Sequence, residues 1–283
     1  MDASGGWRRF GQVFDGVAEA YDEIRPGYPP ELVDAALERG GLHAGARVVE
    51  VGCGTGKLTE LLAARGLSVD AVDPGPNMIE TARRRVGPDA DVRFHVAQFE
   101  DVALPEAAFA ALLSATAFHW VDPAVAWRKA ASHLEPGGLL ALLTHRGHSA
   151  ELDEAFRALV GKHAPDVAEA MPPDRDLQTI LAGIEQRRGN ASEVWDWVTG
   201  GHHGLAVAEA AGLFADTEVA SIVTDVAMTA DELTAQLRTT SLYFRVDPSR
   251  RQAFADDHRR LVERLGGTAH FAQASVLMTA LRV

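Results

Sequence analysis

Two hydrophobic periods alternate along the chain and predict a regular succession of strands and helices. Short β-branched and aliphatic runs indicate strands, and apolar residues that recur every three or four positions indicate helices. The predicted strands cover residues 47–51, 68–72, 92–97, 110–114, 139–144, 218–226 and 275–283. The predicted helices cover residues 10–21, 30–39, 58–66, 77–86, 123–134, 229–244 and 248–265.

This alternation predicts the fold class. Parallel neighbouring strands need a long crossover connection, which is usually a helix and almost always right-handed. The sequence therefore predicts a doubly wound, Rossmann-like α/β fold with a mainly parallel seven-stranded sheet. Thr229 and Glu232 have the spacing of a capping box, which places the start of one of the later helices.

The alternation stops between residues 146 and 204, where helical patterns such as Leu177, Ile180, Leu181 and Ile184 replace it. We expect a helical cap inserted after the fifth strand. The predicted division is residues 1–145 for the N-terminal helices and the donor-binding half of the sheet, 146–204 for the cap, and 205–283 for the elements that complete the sheet.

Composition and charge narrow the classes of partner. The chain has 283 residues, and 40 acidic against 27 basic side chains give a net charge of −13, which repels nucleic-acid backbones. Its one cysteine, Cys53, cannot form an internal disulfide, and no Cys/His spacing predicts a metal site. No apolar run approaches about 18 residues. We expect a cytoplasmic monomer or homodimer with no signal peptide, membrane span, nucleic-acid partner or metal.

A glycine-rich turn directly after the first predicted strand carries the candidate chemistry. Gly52, Gly54 and Gly56 form the pattern Gly-x-Gly-x-Gly, whereas a dinucleotide fingerprint has glycine at its first, third and sixth positions. The sixth position here is Lys57. Ligands of open parallel sheets bind at the carboxyl ends of the strands, where this turn lies. The turn therefore predicts a ligand other than a dinucleotide.

Two carboxylates beside this turn indicate the kind of ligand. Glu50 would repel a pyrophosphate, but it attracts a sulfonium and accepts hydrogen bonds from a cationic amino-acid group. Asp73 ends the second strand seventeen positions after Gly56, where a carboxylate can hold both hydroxyls of an adenosine ribose. The alternative role for Asp73 is that of a helix N-cap. Together the two acids predict a nucleoside whose linker is not anionic.

Three motifs in the expected order carry a family resemblance. They are residues 50–56, Asp73, and residues 134–138 before the fifth strand, and with them the chain resembles the class I S-adenosylmethionine-dependent methyltransferases over residues 10–144. The pattern from Phe14 to Asp22 and the run Phe118-His119-Trp120 resemble the small-molecule branch that includes the trans-aconitate methyltransferases.

The resemblance implies S-adenosylmethionine as methyl donor and S-adenosylhomocysteine as product, without a metal. The implied donor-binding residues are Glu50, Gly52, Gly54, Gly56, Asp73, Pro74 and Met78, with adenine near Gln98, Phe99 and Glu100. Gln98 departs from the family, in which many members have an acidic residue at this position.

Two residues are candidates for acid–base work in a methyltransferase that acts on a small molecule. His119 follows the fourth strand at the ligand-binding edge, and its reference pKa near neutrality makes it the first candidate base. Tyr21 is the second candidate, although it also completes an apolar helical stripe and packing alone would explain it. Cys53 is interpreted as a space-filling residue rather than a nucleophile, because no base is positioned beside it.

Aromatic residues near the expected pocket predict a flat, largely uncharged acceptor, such as an indole-like specialised metabolite. The predicted acceptor-binding residues are Arg25, Tyr28, Phe118, Trp120, Trp195 and Phe244. Trp195 and Trp197 either line the pocket or fasten the insertion to the body. If Arg25 or Arg146 points inward, a carboxylate acceptor is the alternative. A further alternative is a non-catalytic protein that binds S-adenosylmethionine to regulate a partner.

Overall fold

The computed structural model describes residues 8–172, 175–200 and 206–283, within which seven strands form one sheet. The strands are β1 (Arg47–Val51), β2 (Ser68–Asp73), β3 (Val92–Val96), β4 (Phe109–Ala115), β5 (Leu134–His148), β6 (Phe214–Thr229) and β7 (Thr268–Arg282). Their order across the sheet is β3-β2-β1-β4-β5-β7-β6. Strands β1 to β5 are parallel, and β7 runs antiparallel to both β5 and β6. The predicted doubly wound, mainly parallel seven-stranded fold is confirmed.

Helices connect the strands on both faces of the sheet. The α-helices of the described residues are α1 (Ala18–Ile24), α2 (Pro30–Arg39), α3 (Lys57–Ala63), α4 (Pro76–Val86), α5 (Pro123–His133), α6 (Ala150–His163), α7 (Pro165–Glu169), α8 (Leu177–Glu185), α9 (Ala191–Thr199), α10 (Ala230–Arg238), α11 (Ser241–Arg245) and α12 (Arg251–Arg264). Short 3-10 helices cover Arg8–Val17, Phe118–Trp120 and Ala208–Gly212. No described helix is both long and apolar enough to cross a membrane.

Local sequence explains where several helices begin. Proline occupies the first turn of α2, α4 and α5, where its missing N–H has no helical partner to lose. The Asp122 side chain accepts a hydrogen bond from the backbone N–H of Ala124 at 3.0 Å and caps α5. The capping box of Thr229 and Glu232 is confirmed at the start of α10.

Five predicted elements differ in extent from the structure. The helix predicted over 10–21 is a 3-10 helix followed by α1, and the side chain of Phe10 lies outside the described residues. Strand β5 begins at Leu134 because Leu134 pairs with Phe109 of β4, and after an irregularity the regular pairing continues from Leu139. Strands β6 and β7 are longer than predicted because their far ends pair with each other and pack against α10 and α12. Helix α10 stops before Thr239 and Thr240, whose hydroxyls bond the carbonyls of Gln236 and Leu237.

The core lies on both faces of the sheet. One cluster joins α2, α3 and α4 to the sheet, and the other joins α5, α8 and α9 to the opposite face. Helices α6 and α7 pack instead against α10, α11 and α12 in a separate cluster. The helices between β5 and β6 therefore contact two different layers, and the division of the chain at 146 and 204 stays a prediction.

Candidate active site

A cavity of about 1010 Å³ opens at the carboxyl ends of β1, β2 and β4. The strand order reverses between β1 and β4, and such a switch point leaves a crevice where ligands of open α/β sheets bind. The wall combines turns after four strands with the N-terminal segment and residues 240–241. The structure thus places the cavity at the predicted edge of the sheet.

The three glycines after β1 have three different structural environments. Gly54 lines the cavity with a φ of +53°, and a Cβ there would meet no atom within 4 Å, so it would point into open space. Gly52 also lines the cavity, but a Cβ at this position would lie 2.2 Å from Cβ of Ala117. Glycine at this position thus lets the turn after β1 pack closely against the turn after β4. Gly56 is not in the cavity wall: its Cβ would lie 3.0 Å from Ala82 of α4. Gly56 thus allows α3 and α4 to approach closely, and its predicted donor contact stays a prediction.

Asp73 ties the ends of β1 and β2 together. Its Oδ2 accepts a hydrogen bond from the N–H of Gly54 at 2.9 Å, and its Oδ1 accepts one from the N–H of Gly75 at 2.8 Å. Burial raises the pKa of Asp73 to about 6, although these two backbone N–H groups act in the opposite direction. A carboxylate has about four lone-pair sites. Asp73 therefore keeps acceptor capacity for ligand hydroxyls.

Glu50 is buried beneath the glycine turn, with 1% of its surface exposed, and it does not line the cavity. The Thr59 hydroxyl donates to its Oε2 at 2.7 Å. Burial raises the pKa of Glu50 to about 8, and the bond from Thr59 lowers it less. Among the described residues no cationic side chain pairs with Glu50, and a buried carboxylate is stabilised by a cationic group beside it, so donor contact at Glu50 stays a prediction.

The N-terminal segment forms one side of the cavity. Oδ1 of Asp15 accepts hydrogen bonds from the N–H groups of Asn77 and Met78 at 2.7 and 3.2 Å, which caps the start of α4 from a distant part of the chain. The side chain that caps α4 is therefore that of Asp15 and not that of Asp73, which removes the helix-cap alternative for Asp73. Nη2 of Arg85 bonds both carboxylate oxygens of Asp22 at 2.8 and 2.9 Å. The segment is therefore held to α4 at two points.

Aromatic rings from two segments line the cavity. Phe14 packs edge-on against Tyr21 and Trp120, with ring centroids 5.8 and 5.7 Å apart. His119 also lines the cavity, and its ring lies 5.1 Å from that of Trp120. Burial raises the pKa of Tyr21, which keeps its phenol protonated at neutral pH. The structure thus brings both candidate catalytic residues, His119 and Tyr21, into the same wall.

The turn after β4 contains a strained residue. Thr116 lines the cavity with a φ of +54°, a conformation that β-branched residues rarely adopt. Its hydroxyl and the Tyr28 hydroxyl are hydrogen-bonded at 3.0 Å, and the Tyr28 ring stacks on His145 at 4.9 Å. The sequence analysis missed Thr116 because no local pattern marks a threonine with positive φ.

The predicted site residues divide into two groups. Those that line the cavity are Tyr21, Arg25, Gly52, Gly54, Asp73, Pro74, Met78, Gln98, Phe99, Glu100, His119 and Trp120. Those that do not line it are Tyr28, Glu50, Gly56, Phe118, Trp195 and Phe244.

Four of the predicted aromatic residues lie outside the wall for a physical reason in each case, and their contact with an acceptor stays a prediction. Phe118 is buried and packs against Trp127 in the core, at 5.2 Å between ring centroids. Trp195 is fully buried in the same core cluster, so of its two alternatives it fastens α9 to the sheet. Tyr28 reaches the cavity only through Thr116. Phe244 lies under the Arg251 guanidinium, 5.4 Å from the ring centroid.

The cysteine and the histidines were considered in the sequence as a nucleophile and as metal ligands. Cys53 is buried, and burial raises its pKa well above the usual value, which disfavours a thiolate nucleophile. Among the described residues, no three His, Cys, Asp or Glu side chains converge as a metal site would require. The sequence pair His202-His203, which lacks companion ligands at metal-site spacing, lies outside the described residues.

Comparison with known proteins agrees with this site. Residues 49–142 match a family model described as a methyltransferase domain, and they include the glycine turn, Asp73 and His119. An uncharacterized methyltransferase of Mycobacterium tuberculosis is 42% identical over 130 residues, which are 46% of this chain and 51% of that protein. A malonyl-[acyl-carrier protein] O-methyltransferase of Paenibacillus is 31% identical over 188 residues, which are 62% of this chain and 65% of that protein.

A solved structure extends the likeness to the fold. A phosphoethanolamine N-methyltransferase of Haemonchus contortus, solved with phosphomonomethylethanolamine and S-adenosylhomocysteine, has a TM-score of 0.52 and 18% identity, and covers 98% of this chain and 60% of its own. Over residues 49–142 the chain is therefore similar in sequence to methyltransferases, and its fold is similar to that of a solved methyltransferase. The chain spans about half the length of the first relative named above. We therefore treat its reaction and acceptor as proposals.

Proposed function

We propose that this protein transfers the methyl group of S-adenosylmethionine to a small-molecule acceptor bound in the same cavity. The observation that carries the proposal is the hydrogen bond from Gly54 N–H to Asp73 at 2.9 Å, at the mouth of a cavity that continues to His119. Ligand pockets usually measure roughly 300–1,000 Å³. A cavity of about 1010 Å³ therefore has room for a donor and an acceptor side by side.

The residues present fit the donor. Asp73 offers a half-buried carboxylate for ribose hydroxyls, and Gly54 leaves open space where any side chain would intrude. Phe99 and Gln98 follow β3 and line the same cavity, where a flat adenine can contact a ring face and an amide. The acidic side chains of the wall favour a ligand with cationic groups. Bound S-adenosylmethionine supplies an electrophilic methyl group, and its sulfur takes the electron pair of the broken C–S bond.

The chain itself supplies position, a dry environment and a proton acceptor. Phe14, Tyr21 and Trp120 exclude water from the wall near the β4 turn. Holding both reactants in one orientation replaces a bimolecular encounter, which is the main contribution a protein makes to a direct displacement. Where the acceptor loses a proton on methylation, His119 is the group in the wall that can take it.

For the acceptor we propose a planar aromatic or heteroaromatic metabolite of the indole type. Its support is the cluster of three rings, Phe14, Tyr21 and Trp120, which packs edge-on and favours a flat apolar partner. A carboxylate acceptor is the second candidate, because Arg25 lines the cavity. It requires that this guanidinium is not engaged by the donor.

Calorimetry with S-adenosylhomocysteine tests the donor. We expect one binding site per chain, and no detectable binding would refute the proposal. A thermal-shift screen of aromatic heterocycles with and without S-adenosylhomocysteine then tests the acceptor, since a ligand that binds the folded state raises the melting temperature. Hits incubated with S-adenosylmethionine should give a methylated product by mass spectrometry. Binding of both ligands without any product would favour the non-catalytic alternative.

A further inference from the structure

A second, smaller concavity lies on the helices between β5 and β6. Its volume is about 280 Å³, and the described residues of its wall are Arg175, Arg187, Glu193, Asp196, Trp197 and Ala206. None of these residues lines the candidate active site. The charges of this wall therefore need an explanation that involves neither the methyl donor nor its acceptor.

The indole of Trp197 is held in place between α8 and α9. Its Nε1 donates to the carbonyl of Ile180 at 2.9 Å. Gly183 of α8 leaves room for the ring, because a Cβ at that position would collide with the indole. The orientation of the ring is thus set by the two helices and does not depend on a ligand.

Two arginines flank this ring. The guanidinium carbon of Arg175 lies 3.8 Å from the ring centroid, and that of Arg187 lies 4.0 Å from it. Carbon atoms in contact are about 3.5–4.0 Å apart, so two guanidinium groups cannot both lie this close on one face of the ring. They therefore lie on opposite faces. Since Arg175 precedes α8 and Arg187 follows it, the two ends of this helix bring two positive charges to one side chain.

Neither guanidinium has a counterion in the part of the chain that the structure describes. Nη1 of Arg175 donates to the carbonyl of Gly200 at 3.3 Å, and Nη1 of Arg187 donates to that of Gly183 at 2.6 Å. A guanidinium has five N–H donors, so each arginine keeps four for a ligand. The two like charges repel each other, and an anion bound at the edge of the ring would offset this repulsion.

The carboxylates of the wall restrict which anion fits. Glu193 and Asp196 can accept hydrogen bonds, but they repel an oxyanion that is fully ionised. A phosphate group has a second pKa of about 6, so near neutral pH a fraction of it retains a proton. It can therefore accept hydrogen bonds from both arginines and donate one to a carboxylate. Sulfate has the same tetrahedral shape without this proton.

We propose that this concavity binds a phosphate group between Arg175 and Arg187 at the edge of Trp197, with Glu193 as the acceptor of the phosphate proton. The oxygens of a tetrahedral anion point in several directions, which suits donors on opposite faces of one ring. Pockets for drug-sized ligands measure roughly 300–1,000 Å³, so a concavity of about 280 Å³ fits inorganic phosphate or a small phosphate monoester.

Calorimetry at constant ionic strength tests the site with inorganic phosphate, glycerol 3-phosphate and sulfate. For at least one phosphate compound we expect one site per chain, with a dissociation constant of about 1 mM or tighter and sulfate about tenfold weaker. The tighter phosphate compound identifies whether free phosphate or a monoester is the ligand. Arg187→Gln should lower phosphate affinity by about tenfold or more, through the loss of charged hydrogen bonds. Glu193→Gln should bring the affinities for phosphate and sulfate to within about threefold of each other.

A neighbouring arginine provides the matched control. Arg188 pairs with Glu185 on the surface at 2.6 Å, so Arg188→Gln should bind phosphate like the parent protein. Arg175→Gln is a second test of the pair and should weaken binding as Arg187→Gln does, with circular dichroism as the check that each variant is folded. S-adenosylhomocysteine affinity should stay unchanged in Arg187→Gln, because the proposed donor binds in the other cavity.

Three results would overturn the site. The parent protein could show no phosphate binding in calorimetry. Arg188→Gln could weaken phosphate as much as Arg187→Gln does, which would indicate unspecific attraction to surface charge. The parent protein could also bind sulfate as tightly as phosphate, which would remove the role of Glu193 and with it the assignment to phosphate.

Discussion

Replacement of Asp73 by alanine should affect ligand binding more than folding. The carboxylate accepts N–H groups from Gly54 and Gly75 at 2.9 and 2.8 Å and has lone pairs left for the two ribose hydroxyls. Hydrogen bonds to a charged group contribute roughly 1.5–3 kcal/mol each. In the variant, water forms part of these hydrogen bonds instead. We therefore expect the binding free energy of S-adenosylhomocysteine to weaken by about 1.5–3 kcal/mol, which is about 10- to 150-fold in affinity.

The same substitution removes the acceptor of two backbone N–H groups. Both lie next to the cavity, where water can reach them, so the cost in unfolding free energy should be about 1 kcal/mol. For a chain of this size, that lowers the melting temperature by about 2–4 °C. Asp73→Asn is the matched control, because its amide oxygen still accepts one N–H group while the charge is lost.

Calorimetry with paired nucleosides isolates the hydroxyl contacts. Adenosine and 2′,3′-dideoxyadenosine differ only in the hydroxyls that Asp73 is proposed to hold. Removal of the hydroxyls should weaken binding to the parent protein but not to Asp73→Ala, which is the coupling expected of groups in contact. The reasoning is refuted if Asp73→Ala binds S-adenosylhomocysteine within twofold of the parent, or if both proteins lose the same affinity without the hydroxyls.

The remaining predictions concern the turn, the base and pH. Gly54→Val should abolish S-adenosylhomocysteine binding in calorimetry, because the valine side chain would fill the cavity. The control is Gly87→Val, which also has positive φ and open space around it and should bind the ligand normally. Binding of the ligand by Gly54→Val would contradict the prediction. With an acceptor from the screen, His119→Ala should lower kcat by about 10²–10⁴-fold at unchanged donor affinity. An unchanged kcat would refute a role of His119 as base. Burial raises the pKa of Glu50 to about 8 in the folded protein, above its value in the unfolded chain. The free energy of unfolding should therefore fall as the pH rises from about 4 to 8. Cationic S-adenosylmethionine should therefore bind more tightly at higher pH and release protons in calorimetry, and proton uptake would refute this role.

The sequence was sufficient to predict the sheet and most of the residues that line the cavity at the ends of β1, β2 and β3. Strand runs, helix-starting prolines and the spacing from Gly56 to Asp73 are local patterns, and each position in them depends on neighbours in the chain. Local patterns also identified His119 and Trp120 as wall residues, because they directly follow a strand whose carboxyl end faces the ligand.

The part of the wall that the N-terminal segment forms could not be predicted in the same way. Asp15 caps α4 across 62 positions of sequence, and Arg25 bonds Thr239 across 214 positions. Such contacts leave no periodic signal in a single sequence. Aromatic residues near the edge were ambiguous for a related reason. Phe118 and Trp120 are two positions apart on a 3-10 helix, and only the packing against Trp127 decides that Phe118 faces the core.

The cavity wall combines residues from inside and from outside the region that matches the methyltransferase family model. Phe14, Tyr21 and Arg25 come from the segment before residue 49, and Thr240 and Ser241 come from the segment after residue 142, so all five lie outside the region that matches the methyltransferase family model. Substitutions in these two outer segments can alter this part of the cavity while the turns after β1 and β2 keep their geometry. Under the proposed function, grafting the two segments from a relative should change which acceptor is methylated and leave intact the turns that are proposed to hold the donor.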